Sequence, residues 1–197
     1  TLRNQMGQHV FPCHRLDRKT SGVLLFAKDE QTNSLMQKQF AQGLVKKQYL
    51  AIVRGYMEDE ALIDYPLKNE KGKLQEAVTS YQTLDRTEIN VPSAGNPSSR
   101  YSMVLVEPQT GRMHQIRKHF AHIFHPIIGD RPHGCNKQNR LFKEKWKMDT
   151  MMLHAYALHF NHPVSMNALT IEVTPSNEFT RCYNLLNFEN ETGNRYL

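Results

Sequence analysis

Apolar residues recur along the chain with two periods, and the change from one to the other marks out its elements. Across residues 45–54, Tyr49, Ala51 and Val53 fall on one face and Leu50 and Ile52 on the other, which predicts a strand covered on both sides. Residues 23–27 are a continuous apolar run and predict a second such strand. Residues 101–107 and 151–160 alternate as further strands, and residues 168–173 are placed to return as a hairpin partner across a turn at 161–167. Residues 61–67 and 77–84 predict two more, separated by a polar loop at 68–73. At helical spacing, Met36, Phe40 and Leu44 follow an N-cap at Asp29, with Gly43 as the stop. Ile116, Phe120 and Ile123 line one side of a helix that the 109–111 turn opens and that His125, preceding Pro126, closes. Ser176 caps a last helix carrying Phe179, Tyr183 and Leu186; residues 1–8 predict a short helix ending at Gly7, residues 91–99 a turn-rich connector, and the stretch up to Leu197 a polar tail.

Hairpin-like strand pairs interleaved with helices place the chain in the α+β class, with a mixed, largely antiparallel sheet flanked by helices. At 197 residues, with no repeat or shift of composition, a single domain spanning residues 1–197 is expected, and the start at Thr1 rather than Met leaves room for a segment ahead of it. Lys and Arg number 25 against 19 Asp and Glu, a net charge of +6 that favours a polyanionic partner. Cys13, Cys135 and Cys182 lie far apart, which suggests neither a disulfide framework nor a thiolate zinc site and fits a reducing compartment. No apolar run approaches the roughly 20 residues that span a bilayer, so no membrane association is expected.

Candidate chemistry concentrates between His14 and Gly22, where the chain reads His-Arg-Leu-Asp-Arg-Lys-Thr-Ser-Gly. A carboxylate among cations keeps its charge, so Asp17, flanked by Arg15 and Arg18, is a candidate nucleophile or anionic base. The same residue types also make an ordinary turn, with Thr20, Ser21 and Gly22 at its polar and flexible positions. Tyr49 reads on pattern alone as a packed strand aromatic. Arg112, Arg117 and Lys118 gather charge near the start of the predicted helix, and residues 131–147 carry Arg131, Lys137, Arg140, Lys143, Lys145 and Lys147 against Glu144 alone. Such a run is either a solvated helical face or a footprint for a polyanion. His119, His122 and His125 step by three, as zinc ligands can. His125 abuts the helix-ending proline, however, and no carboxylate sits at the offset of a zinc-hydrolase motif, so no metal site is expected.

Four blocks in order resemble the motifs of the RluA-type family of pseudouridine synthases. They are residues 14–22; Lys47-Gln48-Tyr49-Leu50-Ala51; Gly111-Arg112-Met113-His114-Gln115-Ile116-Arg117-Lys118-His119 with His125-Pro126-Ile127-Ile128-Gly129-Asp130; and Met152-Leu153-His154-Ala155. The resemblance implies a two-lobed catalytic fold with a central cleft, and isomerisation of uridine in RNA with no cofactor and no metal. It implies Asp17 as the essential carboxylate, Arg117 as its ion-pair partner, Tyr49 against the target base and Leu153 lining the uracil pocket. Arg15 would brace the gap left when the base leaves its stack. Arg112, Lys118, Arg131, Lys137 and Arg140 then read as contacts to RNA phosphates. Shorter strings, Gln8-His9-Val10-Phe11, His133-Gly134 and Asn139-Arg140, are similar to members that act on a tRNA uridine at the acceptor end of the T-stem, which implies a tRNA partner, a monomer and a cytoplasmic location. The shared motifs would also suit ribosomal RNA, another tRNA site, or a catalytically silent RNA-binding protein. The strand and Lys-Pro turn that family members carry ahead of the first motif do not occur in this sequence, nor does an appended RNA-binding module, so RNA recognition is expected to fall on the catalytic domain.

Overall fold

In the computed structural model, which describes residues 2–93, 95–148, 150–189 and 191–197, most of the predicted alternations pair into one sheet. The chain enters through helix α1 (Leu2–Met6) and three two-residue strands, β1 (Phe11–Pro12), β2 (Ser21–Gly22) and β3 (Phe26–Ala27). Helix α2 (Glu30–Ala41) leads into β4 (Lys46–Arg54), followed by β5 (Glu60–Asp64), a small hairpin of β6 (Leu67–Lys68) and β7 (Leu74–Gln75), and the long strands β8 (Val78–Ile89) and β9 (Ser99–Pro108). Helices α3 (Gln115–His122) and α4 (Asn136–Trp146) come next, then the hairpin of β10 (Leu153–Asn161) and β11 (Ala168–Glu172), and last α5 (Asn177–Leu185) and α6 (Glu191–Asn194). The sheet runs β11-β10-β4-β9-β8-β5 with antiparallel neighbours, and β2 adds a parallel pairing against β10. The α+β class and the mixed, largely antiparallel sheet are as the sequence predicts.

The two faces of β4 divide the core. Leu50 and Ile52 pack with Met103, Leu105 and the inward residues of α4 and α5, Phe142, Phe179, Cys182 and Tyr183. Ala51 and Val53 pack on the opposite side with Val104, Val106, Leu153 and the apolar stripe of α3, Ile116 and Phe120. A strand covered on both sides needs apolar residues at successive positions, which is why residues 50–53 are all buried. No helix among the described residues is long and apolar enough to cross a membrane.

Four expectations need correction. Residues 23–27 are not one strand. Their backbone crosses from the edge of β10, where Val23 N–H donates to the Ala155 carbonyl, to the ladder of β3 with β1, so Leu24 is exposed between the two pairings. Leu44 lies beyond the end of α2 and is exposed, because Gly43 adopts φ +72° and stops the helix first. Helix α3 begins at Gln115, so Arg112 sits in the preceding loop; the Gln115 carboxamide oxygen accepts from Arg112 N–H and Thr110 Oγ1 and holds that loop open. The C-terminal stretch is no simple polar tail: Tyr196 packs edge-on against Tyr156 with ring centroids 5.2 Å apart, and Leu197 joins the core cluster.

Gly22 is one of the tight backbone crossings in this frame. Its φ is +112°, and a Cβ there would stand 2.1 Å from the Ala155 carbonyl oxygen. Gly22→Ala is expected to cost more than about 3 kcal/mol of unfolding free energy. Gly43→Ala, with φ +72° and open space around it, should cost about 1 kcal/mol, and urea unfolding of both variants checks the contrast. His119 and His154 are buried, and burial pulls both below the usual histidine value. The unfolded chain therefore binds protons that the folded chain resists. Stability should be complete above about pH 6.5 and decline as pH falls below it, in thermal melts across that range.

Candidate active site

Asp17 lies on the loop between β1 and β2, held by local bonds. The Asp17 carbonyl accepts from Thr20 N–H at 2.9 Å, and the His14 Nε2 accepts from Leu25 N–H at 3.0 Å, which ties the loop to the strand that follows. The side chain of Asp17 meets Arg117, whose Nη1 donates to Oδ2 at 3.0 Å. Arg117 projects inward from the buried side of α3, with 6% of its side chain exposed. Its Nε and Nη2 both donate at 2.8 Å to the two oxygens of Asp130, which is itself buried. A guanidinium presents its donors in a planar fork, so a bidentate bond on one edge fixes the direction of the remaining nitrogen. Burial works against the charge of Arg117, but the bonds from Asp130 and Asp17 outweigh it and raise its pKa.

Asp130 is held by its own supports. Asn139 of α4 donates from Nδ2 to the Asp130 carbonyl at 2.7 Å and accepts from Gly129 N–H at 2.9 Å. Gly129 has φ +81° and passes so close to the Thr150 carbonyl that no side chain would fit. In the sequence, Asp130 stands out only as the last residue of a motif string. A usable signal was present, since Asp130 is the one acid between Glu107 and Glu144 in a strongly basic stretch. His114 and His133 were also passed over: His114 Nε2 lies 4.0 Å from Asp17 Oδ2, and its Nδ1 lies 2.9 Å from His133 Nε2. Burial lowers both imidazoles, although the Asp17 charge pulls His114 the other way.

These groups open on a cleft of about 970 Å³ lined also by Arg15, Lys47, Tyr49, Arg112 and Leu153. Tyr49 stands on β4, and burial, with the nearby Asp17 charge, pushes its hydroxyl up to about 12. Leu153 on β10 is buried opposite Ala51. The structure thus brings Asp17, Tyr49, Arg117, Leu153, Arg15 and Arg112 to one place. Arg112 is turned by a bond from Nε to the Glu76 carbonyl.

The other basic candidates lie elsewhere. Arg131 and Arg140 line a second groove of about 620 Å³ with Lys143, Lys147 and Glu144, and Arg140 pairs with Glu144 at 2.8 Å. Lys118 donates to the Lys68 carbonyl, and Lys137 is exposed on α4; neither lines the cleft or this groove. The three stepped histidines are engaged separately. His119 bonds Thr79 Oγ1 and the Tyr65 carbonyl, His122 stacks on the Tyr65 ring at 3.5 Å, and His125 bonds the Arg54 carbonyl.

An oriented carboxylate in a cleft lined also by an aromatic ring, an apolar residue and several cations suits a planar base joined to an anionic chain. Residues 2–122 match the sequence model of the RNA pseudouridylate synthase family. The chain belongs to that family. It is 46% identical to a tRNA pseudouridine synthase C of Haemophilus ducreyi over 194 residues, covering 93% of this chain and 80% of that one. It is 47% identical to the tRNA pseudouridine synthase C of Pasteurella multocida over 182 residues, covering 87% and 75%. Among solved structures, human RNA Pseudouridylate Synthase Domain Containing 1 superposes with a TM-score of 0.71 at 26% identity, over 92% of this chain and 76% of that chain. Human RNA Pseudouridylate Synthase Domain Containing 4 superposes with a TM-score of 0.74 at 23% identity, over 95% and 80%, and shares the fold. An RNA pseudouridylate synthase is an isomerase, and the cleft offers groups suited to that reaction.

Within this pseudouridylate synthase fold, Asp130 is the support whose loss should be felt first. Asp130→Asn keeps the shape but leaves the buried Arg117 with one of its two carboxylates, the more exposed one, and should cost about 3 kcal/mol in urea unfolding.

Proposed function

We propose that this chain converts a uridine of tRNA to pseudouridine, at the acceptor end of the T-stem, with Asp17 as the catalytic carboxylate. The observation that carries the reading is the Asp17–Arg117 ion pair facing a cleft walled by Tyr49 and Leu153. The tRNA substrate is supported by the names of the relatives, which are tRNA pseudouridine synthases at 46% and 47% identity. The chain acts as a single domain and a monomer in the cytoplasm.

The reaction breaks the bond from ribose C1′ to uracil N1, turns the ring, and joins C1′ to C5. The C5 proton is lost and N1 gains one, so atoms and electrons balance without a redox agent. Asp17 acts on the nucleotide by attack on C1′, by attack on C6, or by taking a ribose proton, and each course draws on an ionised, oriented carboxylate. Arg117 supplies the orientation, and Asp130 fixes Arg117. Tyr49 stacks on the uracil; its hydroxyl stays protonated at neutral pH while Asp17 carries charge beside it. Consumption of that charge in an adduct would ease loss of the Tyr49 hydroxyl proton to solvent, so that the oxygen takes the C5 proton in exchange and the phenol is left as it began. Leu153 excludes water and strengthens the charge interactions around the ring. Arg15 braces the emptied stack, Arg112 meets phosphate at the cleft, and Lys118, Arg131, Lys137 and Arg140 form an outer footprint on RNA.

Incubation with unmodified tRNA followed by mapping should give one pseudouridine in the T-stem. Asp17→Asn should eliminate product while RNA affinity stays within about threefold of wild type. Pseudouridine on ribosomal RNA alone would overturn the assigned substrate, and none on any cellular RNA would leave an RNA-binding protein. Arg117→Lys keeps charge but loses the fork, and should reduce turnover by roughly 100-fold. Lys143→Ala should change turnover little and weaken RNA binding by about threefold, with a flatter salt dependence.

A further inference from the structure

Lys47 occupies a place that the assignments above leave without a role. It lies two residues before Tyr49 on β4, so the two side chains leave the strand on the same side, about 7 Å apart along it. Both line the cleft. The ammonium makes one hydrogen bond, donating to the Thr110 carbonyl at 3.2 Å. Among the described residues, no carboxylate lies within the 4.0 Å of an ion pair. Glu70 lines the same cleft but is not within that distance. Beside the ammonium stands Gly111, where a Cβ would lie 3.7 Å from Nζ, so this residue places no side chain over it.

A lysine in this state is unusual on energetic grounds. A cation withdrawn from water is disfavoured unless it is paired, and burial here pulls the Lys47 ammonium below its usual value with no opposing charge to restore it. Of the other cations lining the cleft, Arg117 has two carboxylates, Arg112 like Lys47 has one carbonyl, and Arg15 and Lys71 are exposed to water, whereas Lys47 is partly buried. An anion arriving at Lys47 would offset the cost of burying its charge. Two N–H bonds of the ammonium remain to donate to it.

We propose that Lys47 forms a phosphate subsite that binds a phosphodiester flanking the flipped nucleotide while Tyr49 holds its base. The proposal rests on the reading of the cleft as a uridine site. The separation of Lys47 from Tyr49 along β4 matches the span from a base to the phosphate of its own nucleotide. The subsite differs in kind from the outer footprint, because it engages the target nucleotide itself and only after that nucleotide has left its helix.

The test is a double-mutant cycle between protein and RNA. Wild type, Lys47→Met and Lys47→Arg are assayed for kcat/KM on ligated tRNA carrying a neutral methylphosphonate on the 5′ or the 3′ side of the target uridine. On unmodified tRNA, Lys47→Met should lose roughly 30-fold in kcat/KM. Its salt slope should be shallower by about one unit, whereas Lys47→Arg should keep the slope. Neutralising one of the two phosphates should cost wild type a comparable factor and cost Lys47→Met nothing further. Equal penalties for wild type and Lys47→Met at both linkages, or Lys47→Met within about threefold of wild type on native tRNA, would overturn the subsite. If Lys47→Met fails to fold, Lys47→Gln, which can still donate to Thr110, takes its place in the cycle with the same expected outcomes. A wild-type protein that makes no pseudouridine on any RNA would refute the reading of the cleft instead, so the two failures are distinguishable.

Discussion

One guanidinium shared by two carboxylates is the constraint on which this site depends. Arg117 is buried, and a buried cation is tolerated only where hydrogen-bonded counter-charge replaces water. Asp130 provides that replacement with two parallel bonds at 2.8 Å. The remaining nitrogen is then aimed at Asp17, which is exposed enough to meet a ligand. The division of labour follows from depth: the deep carboxylate satisfies the arginine, and the shallow one is presented to the cleft.

Much of the fold serves to bring these three residues together. Asp17 and Arg117 are 100 positions apart, joined through a sheet in which β4 lies between β9 and β10. The Asp17 loop is docked by the parallel pairing of β2 with β10, which Gly22 permits through its close approach to Ala155. Asp130 is docked by Gly129, whose main chain passes against the Thr150 carbonyl, and by the Asn139 carboxamide, which bonds the main chain of both Gly129 and Asp130. At both places, room for the main chain sets the geometry of the charges.

Positive charge is distributed over two distances from the carboxylate. Arg15, Lys47 and Arg112 line the cleft itself, where field lines are confined by low-dielectric walls. Arg131, Arg140, Lys143 and Lys147 rim a separate groove along α4, open to solvent and screened by salt. A polyanion can be held loosely by the second set and positioned by the first.

Local periodicity was enough to read β4, β9, the β10–β11 hairpin and the capped helices α2 and α5 from the residues, because strand alternation and helical spacing are properties of neighbouring positions. The motif blocks likewise marked Asp17, Tyr49, Arg117 and Leu153 before any contact was known. Other features escaped that reading for a physical reason. The interruption at residues 23–25 depends on which strand lies alongside, the inward turn of Arg117 on an acid 13 positions away, and the docking of Tyr196 on a ring 40 positions upstream. The sequence by itself determined the long strands and the capped helices, the class of fold and the family. Only the tertiary structure decided that Asp130 holds Arg117, that Lys47 stands unpaired beside Tyr49, and that the basic run of α4 faces a different groove, since each of these is set by packing between segments distant along the chain.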